Sequence, residues 1–288
     1  MPYWCCGTAS SCSRSISGAH GVSWRIRSHR SRRAWYRDRL WQRSRPPIRV
    51  RDLLSMTAGV DWTDHSAADP YTQRFLAAED QVGFVMDLPA REAPGARYNY
   101  NNGLPSLLGP LITRRVGEPV ETFADRVLFE PLGIRNYAWA TMRDGTPLLA
   151  GGLRMPPRDM AKLGQLVLSQ GMCKGKRLIS RDWVTLSTTH QTRADDYPYG
   201  FYWHLSDPSR PWHGDPPSYL GPIDRYRAIM GVGQGGQAIV VLPDVDVVIV
   251  VASSNWLPGM TDAFPTRLIN GYLVGGIGSG KAGIGNRE

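Results

Sequence analysis

The sequence predicts an α+β fold (α/β two-region), with a mostly helical region beside an antiparallel sheet flanked by helices. Helical spacing appears from residue 48 onward, where Val50, Leu53, Leu54 and Thr57 fall on one helix face, and the segment 70–88 is a further apolar helical segment. In the C-terminal third, residues 237–242 and 247–252 form two apolar runs around a Pro-Asp turn, which indicates a β-hairpin. Helices followed by strands are typical of the α+β class.

The predicted elements begin at residue 48. Residues 48–60 start as a short alternating segment and continue as a helix that Gly59 ends. Ser180 is expected to cap one of the later helices. Further helices are predicted over residues 70–88, 103–116, 119–130, 158–170, 181–188 and 262–273. The hairpin is apolar on both faces, which predicts a central position in a covered sheet.

The charge is concentrated at one end. The 288 residues, 42% of them apolar, can build a sizeable core, and the net charge is +9. Ten Arg and one acid fall within residues 1–47, which leaves 24 of the 34 bases against 24 of the 25 acids elsewhere. An Arg-rich arm with interleaved Trp could bind nucleic acid. Since this segment has neither a helical nor a strand period, we interpret it as poorly ordered, and nucleic acid as an unfavoured alternative.

The sequence gives no signal for a metal, a cofactor or a membrane. The four cysteines form no C-x-x-C pair and have no histidine at zinc spacing, so we expect reduced thiols and no metal. No cofactor is expected. An apolar run of 18 residues and a signal peptide are both absent from the sequence, so we expect no membrane association and a cytoplasmic location for the chain as written.

The turn ahead of the helix at 103–116 carries the main chemical signal. Within residues 94–103 it presents Tyr100 and Asn102 just before an apolar helix. A phenol with a lowered pKa can act as a general base, and a carboxamide can orient a substrate carbonyl or amide. The same pattern also suits a turn that only caps the helix, and the residues alone leave both readings open.

Five ordered motifs carry a resemblance to a known family. They occupy residues 48–59, 94–109, 151–168, 199–203 and 233–237. In this order and spacing they resemble the serine β-lactamase-related family, which includes class C β-lactamases, penicillin-binding-protein-like esterases and 6-aminohexanoate-dimer hydrolases. The resemblance implies a β-lactamase/transpeptidase-like fold. It also implies a serine hydrolase that acts on an ester, amide or β-lactam through an acyl-enzyme.

The resemblance also implies site residues. Ser11 and Arg14 match the Ser-x-x-Lys motif with Arg at the lysine position, and Tyr100 and Asn102 match Tyr-x-Asn. The backbone N–H of Gly236 is expected to share an oxyanion hole with that of the nucleophile. The remaining expected substrate contacts are Gly233, Gln234, Gly235, Tyr202 and Trp203.

The chain departs from the family at its N-terminal end. No lysine precedes Lys162, and the guanidinium of Arg14 cannot accept a proton near neutral pH. Only ten residues precede Ser11, where the family has two strands and a helix, so we interpret the chain as truncated or disrupted there. The predicted organisation is an atypical segment over 1–47 containing a remnant of the nucleophile helix, a hydrolase domain over 48–274, and a Gly-rich tail over 275–288. Weak or absent activity follows, with a non-catalytic binder or relic as the alternative.

Overall fold

Helices and an antiparallel sheet make up the described part of the chain. The computed structural model describes residues 47–62, 70–192, 197–209, 223, 225–233, 235–253, 268–274 and 277, and these belong to a single compact unit. Nearly all of the predicted N-terminal segment and most of the predicted tail lie outside these residues. The mixture of helices and antiparallel strands confirms the α+β class.

The helical elements follow the predicted order. They are α1 (Val50–Leu54), α2 (Pro70–Ala77), α3 (Gln81–Met86), α4 (Leu104–Val116), α5 (Val120–Ala124), a π-helical turn (Asp125–Phe129), α6 (Glu130–Leu132), α7 (Pro157–Leu168) and α8 (Arg181–Ser187). Ser180 caps α8 as predicted, since its hydroxyl accepts a hydrogen bond from the Trp183 N–H at 3.2 Å. Of the last predicted helix, the described part is a π-helical stretch, Ile269–Val274.

Two predicted helices are wrong in extent. The segment 70–88 is two helices rather than one, because the Asp80 side chain accepts the Gly83 N–H at 2.9 Å and caps a new helix. The first helix ends at Leu54 rather than near Gly59, because Met56 adopts a left-handed backbone with φ of 58°. Both breaks come from local backbone capping, which apolar periodicity does not report.

The strands form one four-stranded antiparallel sheet and two small hairpins. The small hairpins pair β1 (Ala138–Trp139) with β2 (Leu153–Arg154), and β3 (Met172–Cys173) with β4 (Lys176–Arg177). The larger sheet has the order β5-β6-β7-β8, formed by β5 (His204–Ser206), β6 (Ala228–Gly233), β7 (Gln237–Leu242) and β8 (Val247–Val251).

The predicted hairpin is confirmed. Strands β7 and β8 pair in antiparallel register from Ala238 opposite Val251 to Leu242 opposite Val247. Within the described residues β7 is central and β8 is the outer strand, so the prediction of a central position holds for β7 alone. The side chains of β8 are accordingly half-buried.

Each face of the sheet packs against a different layer. One face carries Ala228, Met230, Val240 and Leu242, which form a buried cluster with Ile269. Helices α7 and α8 cover the other face, where Val241 packs with Val167 and Val184. The approach of α7 requires Gly164, since a Cβ there would lie 2.6 Å from Val248 Cγ1.

Candidate active site

The Tyr-Asn turn is fastened to the segment that follows α1. The Gly95 N–H donates to Thr57 O at 2.7 Å, and the Asn99 N–H donates to Met56 O at 2.8 Å. The Asn99 side chain donates to Trp62 O at 2.9 Å. These bonds hold the backbone just before Tyr100, so the position of the phenol depends on the fold of the helical region.

The two asparagines that follow Tyr100 differ in role. The Asn101 side chain is fully buried, and its Oδ1 accepts the N–H groups of Gly103 at 2.7 Å and Leu104 at 3.2 Å. Asn101 therefore provides the helix cap that an Asn-rich turn suggests. Asn102 is half-buried, and the acceptor of these two N–H groups is Asn101, so Asn102 remains the candidate for substrate contact.

Tyr100 packs on a histidine that the sequence did not single out. The rings of Tyr100 and His204 are stacked, with centroids 6.2 Å apart and planes at 29°. Tyr199 and Tyr197 meet the imidazole edge-on at 4.9 Å and 5.7 Å, and the Tyr197 hydroxyl shares a 3.3 Å hydrogen bond with Nδ1. The only sequence signal for this cluster is the density of aromatic residues between positions 197 and 204.

Burial fixes the charge state of this cluster. It lowers the pKa of the His204 imidazole to about 3, so the ring is neutral at physiological pH. It also raises the pKa of the Tyr197 hydroxyl. Tyr100 thus rests on an uncharged aromatic support that does not titrate near neutrality.

Tyr202 lies close to Tyr100 in an unusual conformation. Its backbone is left-handed, with φ of 61°, which costs a non-glycine residue about 1–2 kcal/mol. Its N–H donates to Leu54 O at 3.0 Å, and its buried hydroxyl makes no hydrogen bond with the described residues. Burial, and then the electrostatic interaction with the nearby Tyr100, raise the pKa of Tyr202, so its phenol stays protonated.

Trp203 lies on the helical side of the sheet. Its ring packs with Val167, Val184 and Val241, and a Cβ on Gly231 would meet it at 3.3 Å. These contacts make Trp203 part of the layer between the sheet and helices α7 and α8. Tyr202 is the member of the predicted pair that approaches Tyr100.

The glycine turn between β6 and β7 has the backbone freedom expected of it. Gly235 and Gly236 are buried and have φ of 84° and 90°, which strongly favour glycine. The Gly236 N–H donates to Gly233 O at 3.2 Å within the turn. In this conformation the N–H predicted for an oxyanion hole already has a partner, a long bond that an oxyanion would have to replace.

The sheet places this turn and the aromatic cluster at the same end. His204 begins β5 and lies opposite Met230, while the antiparallel β6 ends three residues later at Gly233. At about 3.3 Å per residue, the turn begins roughly 10 Å along the strand from the His204 position. Tyr100, stacked on His204, therefore lies at the end of the sheet that carries the glycine turn.

Part of the predicted site falls outside the described residues. Ser11, Arg14 and Gln234 are not among them, so the expected approach of Ser11 to Tyr100 stays a prediction. Where side chains are described, no three His, Cys, Asp or Glu residues gather as a metal site. In the described part of the chain, no helix is long and apolar enough to cross a membrane.

Comparison with known proteins places the chain in a family. The family model described as Beta-lactamase matches residues 37–272. Esterase EstB of Burkholderia gladioli is 25% identical over 116 residues, which are 37% of this chain and 29% of the esterase. Unguisins hydrolase ungD of Aspergillus violaceofuscus is 26% identical over 95 residues, 33% of this chain and 17% of the hydrolase. The matched segments thus span less than a third of either relative.

Solved structures agree on the fold. A Bacillus anthracis protein assigned as a 6-aminohexanoate-dimer hydrolase superposes with a TM-score of 0.60 at 18% identity, covering 82% of this chain and 61% of that one. The fold is therefore β-lactamase/transpeptidase-like, as the sequence motifs predict. With the family model matching most of its length, this chain belongs to the β-lactamase family of serine hydrolases.

Proposed function

We propose that this chain hydrolyses a small ester or amide through an acyl-enzyme formed on Ser11. In the first step the Ser11 hydroxyl attacks the substrate carbonyl and gives its proton to the Tyr100 phenolate. Tyr100 then passes this proton to the leaving group as the acyl–oxygen or acyl–nitrogen bond breaks. In the second step water gives a proton to Tyr100 and attacks the acyl carbonyl, and Tyr100 returns that proton to Ser11 as the bond between the acyl group and Ser11 breaks.

The placement of Tyr100 carries this proposal. Hydrogen bonds to Met56 and Trp62 fix the backbone before it, and the neutral His204 ring supports its phenol. A general base must be held in position. Because the His204 ring stays neutral, the protonation state of Tyr100 depends on the groups around the substrate. In this proposal the Asn102 carboxamide orients the substrate carbonyl. The Gly236 N–H exchanges its hydrogen bond to Gly233 O for one to the developing oxyanion.

In this proposal, Arg14 in place of a lysine limits the rate of substrate turnover. Its positive charge would favour the phenolate form of Tyr100, but a guanidinium does not accept protons near neutral pH. Tyr100 is then the only group available to exchange protons with Ser11 in the proposed set. We therefore propose weak turnover for the chain as written.

Covalent labelling tests the nucleophile directly. The protein is treated with a serine-directed phosphonylating reagent, and the labelled peptide is identified by mass spectrometry in wild type, S11A, Y100F and Y98F. Label is expected on Ser11 in wild type and Y98F. S11A should carry none, and Y100F should react about 10²–10⁴ times more slowly, as for loss of a general base.

Y98F is the matched control. Tyr98 lies in the same turn and packs against Tyr197 and Tyr199 at 5.3 Å and 5.1 Å, contacts that phenylalanine retains. Label on a residue other than Ser11 would reject the nucleophile assignment. A folded wild-type protein that takes no label at all would instead favour the non-catalytic binder.

A further inference from the structure

Tyr202 combines two unfavourable features at one position. Its backbone occupies the left-handed region that glycine prefers, with φ of 61°. Its hydroxyl is buried and unpaired among the described residues, although a phenylalanine would fill the same space without an unmade hydrogen bond. Packing alone therefore explains the ring but not the hydroxyl.

Hydrogen bonds hold the backbone that carries this hydroxyl. The Tyr202 N–H bonds to Leu54 O at 3.0 Å, and the neighbouring Phe201 N–H bonds to Ser187 O at 2.8 Å. Both anchors lie outside the sheet, so the loop before β5 is held from the helical side. The hydroxyl lies near enough to Tyr100 for the two phenols to interact electrostatically, yet it is not hydrogen-bonded to Tyr100.

We propose that Tyr202 is a substrate-contacting residue whose hydroxyl donates a hydrogen bond to the leaving-group oxygen of an ester. This deepens the proposed function and rests on it. The vacant hydrogen bond beside Tyr100 is filled when the substrate binds, with Tyr100 exchanging the proton and Tyr202 supplying only a dipole. A donor that is held in place without a partner before the substrate binds is preorganised for binding, and backbone strain is often found at such sites.

The chemistry favours oxygen esters. As the acyl–oxygen bond breaks, negative charge grows on the departing oxygen, and a donor already in place stabilises it. Burial raises the pKa of Tyr202, which keeps the proton on the phenol and makes it a donor. Sulfur is a weak hydrogen-bond acceptor, so a thioester leaving group gains much less from the same contact.

A pair of substrates differing in one atom tests the contact. We would measure kcat/KM for p-nitrophenyl acetate and for its thioester analogue in wild type, Y202F and Y98F. Y202F is expected to lose about 10-fold or more on the oxygen ester, as for a lost hydrogen bond to a partly charged acceptor, and less than about 3-fold on the thioester. Y98F should keep the wild-type ratio. Equal losses on both substrates, or none on either, would overturn the proposal.

Stability provides a second readout. Removing a buried hydroxyl that has no partner should raise the unfolding midpoint of Y202F by about 2–4 °C. A lower midpoint would mean that the hydroxyl has a structural partner, and this too would overturn the proposal. Removal of this hydroxyl is thus expected to make the protein more stable and less active.

Binding separates this inference from the proposed function. If wild type does not turn over the ester, the hydrolase proposal fails, but p-nitrophenol, the leaving group itself, still probes Tyr202 by calorimetry. The Kd is expected to be about 10-fold higher in Y202F than in wild type and unchanged in Y98F. Equal Kd values in wild type and Y202F, or no binding to wild type, would overturn the role of Tyr202.

Discussion

Acid should destabilise this protein through His204. Burial lowers the pKa of the imidazole to about 3 in the folded chain, against about 6.5 for an exposed histidine. Below pH about 6.5 the unfolded chain therefore binds a proton that the folded chain does not. The contribution to stability is complete above that pH and is lost as the pH falls toward 3.

The magnitude follows from this difference. One pKa unit corresponds to about 1.4 kcal/mol, so stability falls by about 1.4 kcal/mol for each pH unit between about 6 and 3. Between pH 8 and pH 5 the loss through His204 alone is about 2 kcal/mol. That is a sizeable share of the roughly 5–15 kcal/mol typical of folded proteins.

The assay compares the pH dependence of two variants. Urea unfolding, followed by tryptophan fluorescence, gives the free energy of unfolding of wild type, H204F and Y197F at pH 8 and pH 5. H204F keeps an aromatic ring for Tyr100 to stack on but removes the titrating group, so it should lack the 2 kcal/mol loss. Y197F keeps His204 buried and should retain most of it. Equal pH dependence in wild type and H204F, within about 0.5 kcal/mol, would refute a buried, neutral imidazole.

Three further predictions concern the cap, the helix–sheet contact and the nucleophile motif. N101A should lower the free energy of unfolding by about 1 kcal/mol through loss of the α4 cap, as measured by urea unfolding, whereas N102A should reduce ester turnover, as measured by kinetics. G164A should cost about 1–3 kcal/mol, measured in the same way, because its Cβ would press on Val248. R14K should increase p-nitrophenyl ester turnover by about 10²–10⁴, and an unchanged rate would show that Arg14 is no handicap.

The elements with a strong local signal were predictable from the sequence. Strands β7 and β8 are continuous apolar runs around a Pro-Asp turn, and α8 follows a capping serine, so both lie where the pattern placed them. The break between α2 and α3 was missed because Asp80 ends one helix and starts another without interrupting the apolar spacing. Strands β5 and β6 carry little periodic signal, and the sheet defines them through pairing with β7.

The site was predictable only in part, for a related reason. Tyr100 and Asn102 belong to a short motif that sequence spacing reveals, and the split in role between Asn101 and Asn102 needed the hydrogen bonds to Gly103 and Leu104. The importance of His204 depends on three rings, those of Tyr100, Tyr197 and Tyr199, that only the fold brings together. A lone histidine in the sequence carries none of that information.

The link between the helical region and the sheet passes through the residues that end α1. Leu54 O receives the Tyr202 N–H, and two residues later Met56 O receives the Asn99 N–H, next to Tyr100. Met56 and Tyr202 are both left-handed, so this stretch is strained on each side of the joint. Because Tyr202 and Asn99, the residue before Tyr100, are both bonded to the segment 54–56, backbone hydrogen bonds help to set the separation of the two phenols. The geometry on which the proposed chemistry depends thus rests on the backbone carbonyls of Leu54 and Met56, two residues whose side chains take no part in the proposed reaction.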